Sequence, residues 1–159
     1  MKTFKHITLV LIVLSIILLS CKKETDDDSV DGNLNASYEL KIDGNTISSN
    51  TSIPLGMLLD ASGVASQVSV TEPGNTFMMM FTDIPTTSGD IKQLDDNTLI
   101  ALTGSKVVDY LENFEAVVID AGTMTRTAND KVSFAGTFEY NGITFTTTGF
   151  IKSDGLKEH

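Results

Sequence analysis

The sequence predicts an all-β fold: a single antiparallel β-sandwich or barrel-like domain of about seven to eight strands, with room for one short helix. Three observations carry this. From Ala36 onward, short runs of β-forming residues are cut by Gly, Asn, Asp and Pro, the punctuation of strands joined by tight turns. Threonine is dense near the C-terminus, with eight between Thr123 and Thr148, and its branched Cβ suits a half-buried strand face. Finally, Asn141-Gly142 separates two alternating apolar runs, the strongest short-range signal of a hairpin.

The elements follow in chain order. Tyr38, Leu40 and Ile42 alternate into Asp43-Gly44, and Ile47 lies on the return strand, giving an opening hairpin. Val64 to Val70, Thr76 to Thr82 and Thr98 to Leu102 read as further strands, separated by Glu72-Pro73-Gly74-Asn75 and by Pro85 to Gly89. Residues 105–115 place Val107, Tyr110, Leu111 and Phe114 at helical spacing, whereas Ala116 to Ile119 is extended in character, so this stretch is either one short helix or a bent strand. Gly122 to Thr127 leads through Ala128-Asn129-Asp130 into a strand with Val132, Phe134, Phe138 and Tyr140 on one parity. After the Asn-Gly turn, Ile143, Phe145 and Ile151 take the matching face. A two-residue turn sets Phe138 against Phe145, Val132 against Ile151, and Phe134 against Gly149, where the missing side chain leaves room for a ring. The two longest loops expected are residues 50–63 and 83–96. Phe77, Met78, Met79, Met80 and Phe81 form an apolar run that reads as core packing, with a soft ligand pocket or a copper site as the alternative.

Residues 1–20 differ from the rest. Met1-Lys2-Thr3-Phe4-Lys5 is a basic start, and Ile7 to Leu19 is a run of Ile, Leu and Val broken only by Thr8 and Ser15. That is the anatomy of a secretory signal peptide. A spanning helix needs about twenty apolar residues, and the residues that follow, Lys22 to Asp28, are mixed rather than a positive stop-transfer segment. Three parts result: a signal over residues 1–20, a polar and acidic tether over 21–35, and a β-domain over 36–159. The tether is too poor in apolar groups to offset the entropy of ordering.

Charge and the titratable inventory narrow the chemistry. The chain has 159 residues and a formal charge of -10, from 11 basic and 21 acidic side chains. Nucleic-acid binding is excluded, because it needs Lys and Arg to displace counterions. Losing Lys2 and Lys5 with the signal leaves 9 basic against 21 acidic groups, a charge of -12; the β-domain alone holds 7 against 16, or -9. The two histidines are His6, in the signal, and His159, the last residue, and there is one cysteine. Disulfides, Ser-His-Asp and Cys-His catalysis and typical zinc sites therefore drop out, and no cofactor is expected. Carboxylate chemistry remains, with Asp109, Glu112, Glu115 and Asp120 as candidates whose spacing the sequence leaves open. Asp27 to Gly32 matches the first half of a calcium loop, but position twelve, where a bidentate Glu belongs, is Tyr38.

Several short motifs resemble those of known families. Leu18-Leu19-Ser20-Cys21 resembles the bacterial lipobox, which implies acylation of Cys21 and cleavage between Ser20 and Cys21. The alternative is that Cys21 merely ends a transmembrane helix or is an idle thiol. Acyl chains contribute about 0.8 kcal/mol per buried CH₂ and hold a protein at a membrane without any spanning segment. The acids after Cys21 resemble the surface-export signal of Bacteroidota lipoproteins, although a merely solvated linker has the same composition. Asp28-Ser29-Val30 resembles the short O-glycosylation pattern of that group, implying Ser29 as acceptor, against an ordinary linker serine. Val117 to Thr123 resembles an aspartic-protease signature, with Ala121 where the supporting hydroxyl belongs and no second copy; a turn between strands explains the same residues. With Ile42-Asp43-Gly44, Gly136-Thr137-Phe138 and Gly149-Phe150, the whole chain resembles the small lipoproteins of Bacteroidota. That resemblance implies an outer-membrane, lipid-anchored envelope protein, facing the periplasm or the cell surface. Its expected role is a non-catalytic binding or accessory module for a glycan, peptide or protein partner. The alternatives are a small carboxylate-dependent hydrolase centred on Asp120 and an apolar-ligand carrier with a lipocalin-like barrel.

Overall fold

The structure is a computed structural model that describes residues 34–59, 63, 65–111 and 116–156. The chain divides into two units, Met1–Gly32 and Asn33–His159, and every element below belongs to the second. Ten strands follow in order: β1 (Asn35–Ile42), β2 (Asn45–Leu59), β3 (Ala65–Thr71), β4 (Met78–Thr82), β5 (Ile91–Gln93), β6 (Ile100–Thr103), β7 (Val117–Ile119), β8 (Ala121–Ala128), β9 (Lys131–Tyr140) and β10 (Ile143–Ser153). One helix, α1 (Ser105–Leu111), lies between β6 and β7, and short 3₁₀ turns occupy Pro73–Asn75 and Asp154–Leu156.

All pairings are antiparallel, in one sheet ordered β5-β8-β9-β10-β1-β2-β3-β4-β6-β7, which curls into a half-barrel. The all-β class expected from the sequence is correct, whereas the expected count of seven to eight strands is too low. Two strands are three-residue pieces at the edges: β5, too short to leave an alternating pattern, and β7, which falls in the stretch Ala116 to Ile119 read as extended. Residues 105–115, open between helix and bent strand, begin with α1, whose Val107 and Leu111 face the interior.

β2 is the pivot of the sheet. Its residues 45–54 pair with β1 and its residues 55–59 pair with β3, so one fifteen-residue strand belongs to both halves. The expected loop 50–63 is thus strand as far as Leu59. Its run Ser48 to Pro54 is polar and includes a proline, so propensity argues for a loop; two flanking partners override it, with β-bulges opposite Ala36/Tyr38 and Leu40/Lys41.

The hairpin β9–β10 has the register that its turn dictates. Asn141 and Gly142 both take positive φ, 51° and 76°, as a type I′ turn requires. Phe138 pairs with Phe145, Phe134 with Gly149 and Val132 with Ile151. Phe138 and Phe145 stack with ring centroids 5.3 Å apart. Ile143 departs from expectation: it shares the inward parity but lies beyond the core, 59% exposed. Asp43-Gly44 forms the same kind of turn between β1 and β2, and the Asp43 carboxylate accepts bonds from the backbone N–H and hydroxyl of Thr146 on β10.

The inward faces of both halves enclose one core, with Tyr38, Leu40 and Ile42 of β1, Phe77, Met79 and Phe81 around β4, and Met124, Val132, Phe134 and Ile151 of β8 to β10. Parity corrects the methionine run: Met79, not Met78 or Met80, points into this core. Met80 is buried on the opposite face, where Gln67 Nε2 lies 3.0 Å from its sulfur. Arg126 also points inward from β8 and is 2% exposed. Its guanidinium donates to the carbonyls of Pro85, Asn129 and Leu156, which ties the loop after β4, the β8–β9 turn and the C-terminal 3₁₀ turn together.

Candidate functional site

The densest polar constellation in the domain is buried. Glu72, immediately after β3, is 7% exposed, and both its oxygens are occupied. Oε1 accepts from Tyr38 Oη at 2.5 Å, Lys106 Nζ at 2.8 Å and Ser48 Oγ at 3.2 Å. Oε2 accepts from Thr76 Oγ1 at 2.9 Å and pairs with Lys106 Nζ at 2.6 Å. Lys106 Nζ also reaches Ser48 Oγ at 3.1 Å, and the Tyr38 ring stacks on Phe77 with centroids 5.1 Å apart.

Each member arrives by ordinary local rules. Tyr38 and Ser48 take inward positions on β1 and β2; Pro73 and Gly74 turn the chain so that Glu72 faces back; and α1 brings in Lys106, whose N–H bonds the Thr76 carbonyl. Burial alone would raise the Glu72 pKa, but the bonds from Lys106, Tyr38 and Thr76 outweigh it and hold it at about 2. Burial, together with the neighbouring carboxylate, pushes the Tyr38 phenol well above its usual range. At neutral pH Glu72 is therefore ionised and fully bonded, and Tyr38 is protonated. With five donor contacts on its two oxygens, the carboxylate ties β1, β2, the 72–76 turn and α1 together.

A second organised site lies in the expected loop 83–96. Asp83 Oδ1 takes Lys92 Nζ at 2.6 Å and Oδ2 takes Thr98 Oγ1 at 2.8 Å. Burial opposes ionisation there, and these two bonds overcome it to lower the Asp83 pKa. Asp95 caps the turn that follows, accepting from the N–H groups of Asn97 and Thr98 at 2.8 Å each, and these backbone bonds lower its pKa.

On the outer face, a depression of about 620 Å³ is lined by Ser37, Glu39, Ser49, Asn50, Thr51 and Phe150. It lies beside the register shift between Ala36 and Tyr38. Lys131 Nζ sits 4.1 Å from the Phe150 ring centroid, and Glu39 pairs with Lys41 at 2.9 Å. Ring, hydroxyls, amide and charges are thus gathered on one exposed face.

The residues singled out from the sequence fall elsewhere. Ser20, Cys21 and Ser29, with the signal and the acidic tether, lie outside the described residues, as do Glu112 and Glu115. Asp120 is the single exposed residue linking β7 to β8, and Asp109 is exposed on α1. Tyr38, position twelve of the partial calcium loop, is committed to Glu72. Among the described residues no three of His, Cys, Asp and Glu gather into a metal-holding group, and no helix is long and apolar enough to cross a membrane. Sequence reasoning missed Glu72 and Lys106. They stand 34 residues apart, and the one local hint is a tyrosine, Tyr38, at an inward position of an alternating strand.

No protein-family model, curated protein or solved structure matches this chain.

Proposed function

We propose that the protein is a lipid-anchored lipoprotein of the outer membrane, whose β-domain serves as a non-catalytic binding or accessory module. The observation that carries this reading is the place of the one cysteine, in Leu18-Leu19-Ser20-Cys21 directly after the apolar run. The domain adds support of a different kind. β1 begins at Asn35, so the chain between Cys21 and β1 spans at most about 45 Å when extended, enough to join a folded domain to a membrane surface. The outer depression around Phe150 offers a glycan, peptide or protein partner an aromatic ring with polar groups at its rim. Asp120 stands in an exposed one-residue link between β7 and β8, the position of a turn residue. The apolar-carrier reading requires an open interior, where instead Met79 packs among Phe77, Phe81 and Leu102 in one core.

The test is Cys21→Ala in the full chain. Wild type should float with membranes and incorporate a clickable palmitate analogue, and the variant should do neither. A variant that remains in the membrane fraction and still takes up label would overturn the anchor.

A further inference from the structure

We infer that the β2–β3 tip, through Leu58 and Leu59, rests in the lipid surface to which the anchor attaches the chain, and so orients the domain. This rests on the lipoprotein reading above and goes beyond it. Four large hydrophobic side chains are exposed among the described residues: Leu58 (59%), Leu59 (46%), Ile91 and Ile143. Two of them are adjacent at one hairpin end.

That end is where the tether arrives. β1 runs away from its entry point, β2 returns antiparallel with Pro54 opposite Asn35, and the Leu55 N–H bonds the carbonyl of Leu34. β2 then continues to Leu59, which carries Leu58 about 13 Å past the level of Asn35. A tether that ends beside Leu55 brings this tip, ahead of the opposite pole, to the surface that holds Cys21.

The chemistry fits a lipid interface better than a protein face. Leu58 pairs with Gln67 and Leu59 with Ala65, so the residue left over at the irregularity is Ser66, on β3. β2 keeps its alternation, and the two leucines point to opposite sides. A packed partner covers one side of a hairpin, whereas a fluid interface surrounds both. Backbone pairing continues to the Leu59–Ala65 pair, so immersion to that depth strips few unpaired amides of water. Asp60 follows in the sequence and the domain is acidic, which confines the contact to the boundary of headgroups and acyl chains.

The chain contains no tryptophan, so Leu58→Trp makes a single-site reporter. Ile143→Trp is its control, with the same 59% exposure, and lies at the opposite pole because Ile42 pairs with Thr147 just inside the Asn141-Gly142 turn. Both full-length lipidated variants would be reconstituted into vesicles of phosphatidylethanolamine with a minor share of phosphatidylglycerol, with and without brominated acyl chains. The Leu58→Trp emission should move to shorter wavelength and be quenched by the brominated lipid, while Ile143→Trp does neither. Protein that floats with the vesicles but leaves Leu58→Trp unquenched overturns the inference and spares the anchor. Equal quenching of both variants overturns it too. A blue shift without vesicles that grows with protein concentration would assign the tip to a second copy of the chain, again against it. Failure of wild type to float removes the anchor and the inference together.

Discussion

Glu72 carries an ionised carboxylate into an interior that would otherwise exclude it, and its stability contribution depends on pH in a defined direction. Its folded pKa of about 2 lies below the ordinary 4.5, so the unfolded chain binds the proton more readily. The resulting stabilisation is fully present above pH 4.5 and is lost as pH falls through that value towards 2; it amounts to roughly 3 kcal/mol. Asp83, also lowered, acts in the same direction. Glu72→Gln should therefore flatten the acid limb of a stability–pH curve measured by urea unfolding. At neutral pH it should also cost about 1–3 kcal/mol, since the amide cannot satisfy all the donors that converge there. An unchanged acid limb in the variant would mean that Glu72 is not the titrating group. The cluster was barely legible in advance, because its members come from four separate segments and only Tyr38, a tyrosine at an inward strand position, hints at it.

Among the elements, the β9–β10 hairpin was the most legible, since an Asn-Gly turn and strict alternation specify a register without tertiary information. Gly149 makes the point in reverse: a Cβ built there would lie 2.5 Å from the Glu39 carbonyl oxygen on β1 and 2.7 Å from the Phe134 ring. Gly149→Ala should destabilise the protein by about 2–3 kcal/mol through forced backbone and ring displacement, read as a lower urea midpoint. A loss below about 0.5 kcal/mol would show that strand and ring yield freely. The edges and the pivot were less legible. β5 is too short to show a period, and β2 is extended because β1 and β3 flank it, which its serines, asparagine and Pro54 do not announce. Helix α1 was half visible: Val107 and Leu111 have helical spacing, but the helix ends before the extended β7 that follows it, so a single window mixed two periods.

At the scale of the whole molecule, the two halves of the curled sheet share one core and one strand, and therefore cannot unfold separately. Limited proteolysis of Cys21→Ala should cut within residues 22–33 and leave a resistant fragment starting near Leu34; early cleavage between β2 and β3 ahead of the tether would contradict the proposed division. The domain's acidity, -9 by formal count, favours solubility through self-repulsion between copies.

β1 lies between β2 and β10, with Ala36 opposite Ser153, so the first strand of the domain completes its hydrogen bonds only with the last. A chain emerging N-terminus first holds Tyr38, Leu40 and Ile42 on a half-made sheet until the C-terminal residues are released. Contacts of such long range fold slowly, so the sheet closes only after the residues of β10 have been released.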